Sequence, residues 1–270
     1  MKNQIIALLS LLFLTTFTSC TSFLTPAILG NNLGYIPKAM VADSVKTLTN
    51  ASASFAAAAS PSAGTGFELG MANISQSHTF KKANISYGIF GYVGKASGGD
   101  KDISEENLKN YLPSFKKSIS GVGLRFSAGF HHTSVNRNTD FRYINFENAL
   151  SFEGGAYTKF RQEVYNNHIP DDVAVTDRRV LWTTGLSTEV IWRARDNPDF
   201  RHAFRFFIGG TPNFANSFRS GIKANDVIRG KNSLGWVFNY FLYIKRFSIS
   251  LEMADHVNYA QKISVGYSFQ

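Results

Sequence analysis

Eight charged residues are the first candidates for chemistry. Glu147, Glu153, Glu189 and Glu252, with Arg125, Arg179, Arg193 and Arg205, each fall on the polar side of an alternating segment. An isolated buried charge costs several kcal/mol, so such residues must find partners if they face inward. Gathered on one inner wall they form either a structural ladder of ion pairs or the lining of a narrow ion-selective pore. Covalent or metal chemistry has weaker support. His131 and His132 are adjacent, so a strand would turn them to opposite faces, and His78, His168, His202 and His256 are isolated. The spacing of these side chains fits no zinc site. Neither GxSxG nor HExxH occurs. Gly91-Tyr92-Val93-Gly94-Lys95-Ala96-Ser97 imitates part of a phosphate loop, but its spacing is too short and it runs into Gly98-Gly99-Asp100 rather than a helix. Thr133 and Ser134 beside His132 share adjacency without a triad's geometry. The expectation is a non-enzymatic chain with no catalytic residues, no metal and no cofactor.

The elements that would position the charges are strands. Val180–Arg193 puts Val180, Trp182, Leu186, Val190 and Trp192 on one face, with Thr183, Ser187, Glu189 and Arg193 on the other. That is a period of two, with one apolar and one polar face. Trp182 and Trp192 share the apolar face. On a strand tilted by about 45° they stand roughly 23 Å apart along a membrane normal. The apolar band of an outer-membrane barrel is about 25 Å tall and is edged by aromatic girdles. Trp236, Tyr267 and Phe269 complete the predicted girdle.

Nine further segments alternate in a compatible way: 50–59, 66–75, 84–93, 119–130, 142–160, 202–209, 233–244, 247–254 and 262–269. The segment at 142–160 reads as one long strand, or a strand with an extension. The longer connections lie at 95–115, 161–179 and 211–232, and shorter ones alternate with them. Asp102-x-x-Glu105 in the first of these resembles a capping box opening a short helix. Short turns on one side and long loops on the other suit an up-and-down barrel with both ends at the short-turn, periplasmic side. Small residues recur on the polar faces (Gly88, Gly121, Gly123, Gly185, Ser187, Ser250, Ser264, Gly266), which suits a crowded lumen. A soluble, lipid-tethered barrel would reverse the faces and hold an apolar ligand inside.

The N-terminus carries Lys2, an apolar run at 5–14, and Thr15-Thr16-Phe17-Thr18-Ser19-Cys20. This is the pattern of a secretory signal peptide, and the run is too short to span a bilayer. Cys20 is the only cysteine, so no disulfide forms within the chain. Phe17-Thr18-Ser19-Cys20 resembles a bacterial lipobox, with Phe17 where leucine is usual. The resemblance implies removal of residues 1–19 and lipid attachment to Cys20. The chain's net charge is +9. Its basic residues are dispersed at strand ends (Lys81-Lys82, Lys116-Lys117, Arg178-Arg179, Lys245-Arg246), which points to lipid phosphates or lipopolysaccharide rather than to nucleic acid.

The lipobox, the Tyr35-x-Pro37 lead-in and the barrel that follows together resemble small lipid-modified outer-membrane β-barrel proteins of Bacteroidota. In that group acidic residues after the cysteine signal surface export. Thr-Ser-Phe-Leu-Thr-Pro follows here, so the resemblance implies a lipid on the periplasmic side. The last strand, Ile263 to Gln270, resembles the signal read by the barrel assembly machinery, with its aromatic penultimate. The expected organisation is a signal peptide over 1–19, a lipidated tether and lead-in over 20–49, and an all-β, antiparallel up-and-down transmembrane barrel of about ten strands over 50–270. The expected role is structural, adhesive or binding, with protein partners at loops 95–115 and 211–232. A small pore or lipid transporter is the alternative.

Overall fold

The computed structural model describes residues 22–61, 64–99, 112–194, 199–224 and 234–269. The signal peptide, Cys20, the Asp102–Glu105 capping box and parts of the loops at 95–115 and 211–232 lie outside these residues.

Ten strands close into one antiparallel barrel. In chain order they are β2 (Thr47–Ala59), β3 (Thr65–Thr79), β4 (Ala83–Gly98), β5 (Phe115–Thr133), β6 (Thr139–Gly154), β8 (Val180–Arg193), β9 (Phe200–Gly210), β11 (Leu234–Ile244), β12 (Phe247–His256) and β13 (Asn258–Phe269). Each pairs with its sequence neighbour in the barrel, and β13 closes onto β2 through Ile263 opposite Phe55. Closure leaves no strand edge unpaired. All ten expected segments are present, and the bounds of β8 coincide with the expected ones. The connections at 99–114, 155–179 and 211–233 leave from one end, here the loop end. Those at 80–82, 134–138, 194–199 and 245–246 are short and define the turn end.

The alternation is inside out for most of the wall. On β8, Val180, Trp182 and Leu186 are exposed, while Thr183, Ser187 and Glu189 are buried in the lumen. Ile74, Ile89, Leu124, Phe126, Phe206, Leu251 and Ile263 face outward in the same way. β3 departs from the scheme. Phe67, Leu69 and Met71 are buried inside and Glu68 is outside. The upper lumen is apolar there because it receives apolar residues from the N-terminus.

That N-terminal stretch is the main departure from expectation. Residues 20–49 read as a tether because they lack periodicity, yet from Ser22 to Lys46 the chain runs down the inside of the barrel as a strap. It starts at the loop end with β1 (Ser22–Leu24), parallel to β7 (Val173–Thr176), which pairs in turn with β10 (Phe218–Ser220). Leu24, Ile28, Leu29 and Leu33 then pack against Phe67, Leu69, Phe90 and Phe207 of the wall. Each fully buried aliphatic side chain contributes about 1.5–3 kcal/mol. Near the turn end Ser77 and Thr79 hydroxyls donate to Pro37 O and Ala39 O, both at 2.8 Å, and Asp140 accepts the Val41 N–H at 2.8 Å. A segment surrounded by wall has no solvent face, so no amphipathic period marks it. Thr47 and Phe269 share the turn end, as expected for the barrel's own ends, whereas Ser22 lies at the opposite end.

The segment at 142–160 is not one long strand. β6 ends at Gly154, and α1 (Ala156–Asn166) follows. Gly155 takes φ 103°, a conformation glycine adopts without strain, and so breaks the strand. α1 caps the lumen with Tyr157, whose ring lies 5.6 Å from Phe67 and 5.8 Å from Phe115.

Candidate functional site: a charged lumen held by the strap

The inner wall gathers most of the expected charges, but in small clusters rather than one ladder. At the centre, Glu189 of β8 bonds the strap. Lys38 Nζ lies 2.9 Å from its Oε2, the Tyr35 hydroxyl donates to Oε1, and Arg142 Nε stands at 3.7 Å. Arg142 also donates to Ala39 O at 2.8 Å. Beside this cluster, Arg205 of β9 grips both oxygens of Glu147 on β6, with Nε at 2.8 Å from Oε1, and Ser187 donates to the same carboxylate. Asn239 links Arg205 to Glu252, which also pairs with Lys262 at 2.7 Å.

Two further clusters close the ends. At the loop end Glu153 pairs with Arg161 of α1 at 2.6 Å, and its other oxygen accepts the Ala27 N–H of the strap at 2.8 Å. At the turn end Asp43 of the strap pairs with Arg193 and with Arg201, the latter at 2.6 Å. The Arg201 guanidinium lies 4.1 Å from the centre of the Tyr243 ring. Such geometry locks side chains in place. Glu147, Glu153, Glu189 and Glu252 each meet a cation, and the buried Asp140 is held instead by the strap's Val41 N–H.

Of the eight predicted luminal charges, Arg125, Glu147, Glu153, Glu189, Arg193, Arg205 and Glu252 face the lumen. Arg179 does not. It is exposed at the loop end, just before β8 begins, and its carbonyl accepts the Glu153 N–H. Sequence reasoning missed Lys38, Asp43, Arg142, Arg161, Arg201 and Lys262. Arg142 sits on the apolar side of a strict alternation. A β-bulge in β6 between Arg142 and Asn145 reverses the register and turns Arg142 inward.

The predicted girdle residues all lie on the outer wall. Trp182 and Trp236 are near the loop end, and the Trp182 indole donates to Asn148 at 3.1 Å. Trp192 is near the turn end, stacked on His202 at 5.1 Å and on Phe204 at 5.4 Å. Tyr267 packs against Phe247 and Phe269 at the same end. His131 points inward and His132 outward, as their adjacency requires. Among the described residues no group of His, Cys, Asp or Glu is placed to hold a metal ion.

Fold and lumen together define a closed antiparallel barrel, apolar outside, whose interior is occupied by its own N-terminal segment. No family profile and no curated protein matches the chain. Solved structures similar to it include the β domain of the Bordetella autotransporter BrkA (9% identity, 83% of this chain and 99% of that one, TM-score 0.43). Others are the translocator domain of autotransporter NalP from Neisseria meningitidis (6%, 85% and 91%, TM-score 0.39) and a mutant of the monoaromatic hydrocarbon channel TodX (8%, 93% and 96%, TM-score 0.40). At these scores the likeness says nothing about activity.

Proposed function

We propose that the chain is an integral β-barrel of a bacterial outer membrane, closed by its own N-terminal strap, and that it acts without catalysis as a scaffold presenting its loop end to a partner. The outward band of Ile74, Ile89, Leu124, Leu186, Leu251 and Ile263 supports membrane insertion, because an apolar surface of this extent is not left to water. Trp182 and Trp236 at one level, with Trp192 and Tyr267 at the other, suit the two membrane interfaces. The exposed Lys95, Lys116, Arg179 and Arg219 at the loop end suit lipopolysaccharide phosphates.

The observation that favours a closed scaffold over a pore is the strap. It fills the upper lumen with Leu24, Ile28, Leu29 and Leu33 and ties the lower lumen through Lys38 and Glu189. Lipid attachment at Cys20 belongs to this reading. Ser22 at the loop end supports an anchor on the loop-bearing side, in place of the periplasm-facing one expected from the residues after Cys20. Planar-bilayer recording of the purified full chain tests the closed state. The expected result is insertion without steady conductance. Regular unitary currents from the full chain would replace the scaffold with the pore.

A further inference from the structure

Among the described residues, Arg125 is the mid-lumen guanidinium without a carboxylate of its own. It is only 7% exposed. Its Nη1 reaches Gly34 O at 3.3 Å, its guanidinium lies 4.4 Å from the Phe90 ring centre, and its Nε has no hydrogen-bond partner among the described residues. The nearest acids are committed elsewhere. Glu252 holds Lys262 and Asn239, and Glu147 has both oxygens on Arg205.

Lys262 comes close to the same spot. A Cβ built on Gly34 would lie 2.5 Å from Lys262 Nζ and 2.9 Å from Arg125 Nη1. The two cations therefore flank one point of the strap. Glu252 goes to Lys262 and leaves Arg125 without a direct ion pair, in a place where an uncompensated charge costs several kcal/mol. Beside them is a cavity of about 20 Å³. Its wall carries the Ser52, Ser54, Ser248, Ser250 and Ser264 hydroxyls and the Asn73 amide, with no carboxylate among its lining residues. A site of that volume admits one guest about the size of a water molecule. Water fits but leaves the excess charge in place.

We infer that this cavity is a halide site, in which a single chloride ion sits between Arg125 and Lys262 with serine hydroxyls completing its shell. The ion offsets the surplus charge and locks the strap at Gly34 against β5 and β13. The site takes small monoatomic anions, because a carboxylate or phosphate exceeds the space.

Bromide is the probe. Crystals of the full chain grown in sodium bromide should give an anomalous bromine peak in contact with Arg125 and Lys262. In parallel, the temperature at which the detergent-solubilised full chain loses its heat-resistant gel mobility should be measured in chloride, bromide and gluconate at equal ionic strength. Halide binding to the folded state alone should raise that temperature with the logarithm of halide concentration, and Arg125→Met should abolish the dependence. Bromine density confined to the exposed surface, an adventitious ion only, would overturn the proposal, as would an unchanged halide dependence in Arg125→Met. If that variant does not assemble, the bromine map of the unaltered chain decides alone.

Discussion

Lys38 and Glu189 meet at 2.9 Å across 151 residues of sequence, one on the strap and one on β8, with neither side chain more than 2% exposed. The pair fixes the strap to the wall at the level where Tyr35 and Arg142 also converge. Removing one partner of a buried pair leaves the other charge stranded, at a cost of about 3–5 kcal/mol. Glu189→Ala is therefore expected to lower the unfolding free energy by that much, read as a lower urea midpoint at unchanged slope, and Lys38→Met with Glu189→Leu should recover part of the loss. A midpoint unchanged in Glu189→Ala would put this carboxylate in water.

The strap should behave as core rather than as tether. Ile28 is fully buried among wall residues, whereas Val45 is 40% exposed. Ile28→Ala is expected to destabilise by about 2–5 kcal/mol, while Val45→Ala should change little. Equal and negligible effects in denaturant titrations of both variants would mean that the strap is not seated.

The two faces of β5 give opposite expectations. Leu124 faces outward and is 53% exposed, and Ser127 faces the lumen. An arginine on the lipid face near the midplane costs about 2–4 kcal/mol. Leu124→Arg should reduce the fraction that folds into lipid vesicles, and Ser127→Ala should leave it near the unaltered level. Normal assembly of Leu124→Arg would argue that this face meets water.

Tyr157 predicts an alkaline limit. Burial under α1 raises its hydroxyl above the ordinary tyrosine value, and that hydroxyl donates to Thr25 O at 3.0 Å. Above about pH 10 the unfolded chain gives up this proton while the folded chain keeps it. The folded state then binds more protons, so stability falls as pH rises through that value. Tyr157→Phe should lose about 1 kcal/mol at neutral pH and show a shallower decline above pH 10. Parallel declines would assign the alkaline sensitivity to other groups.

The sequence revealed the wall more readily than the contents. Strict alternation showed β8 to its end residues because its two faces meet different surroundings along the whole strand. Arg142 was hidden by the bulge that inverts β6. The strap was hidden because Leu24, Ile28 and Leu33 touch wall on every side and so carry no period. Lys38 was hidden because its partner Glu189 lies 151 residues away. Arg161 fell in a stretch read as loop, although Glu153 is only eight residues before it. Lys262, directly opposite Glu252 across the β12–β13 hairpin, carried a local pairing signal that went unread. α1 did leave a signal that strand reasoning passed over, since Tyr157, Phe160, Arg161 and Val164 recur at helical spacing just after Gly154-Gly155. Arg179 misled because a strand boundary, not a face, decides where it lies.

Carbonate extraction tests whether the polypeptide itself holds the membrane. The chain carrying Cys20→Ala would be expressed behind a signal peptide without a lipobox, and its membranes washed in alkaline carbonate. The pellet would then be run on a gel with and without boiling. An inside-out barrel predicts retention in the pellet and a mobility shift on boiling. Release into the wash as a folded, soluble protein would contradict it, because the lipid would then have been the only anchor.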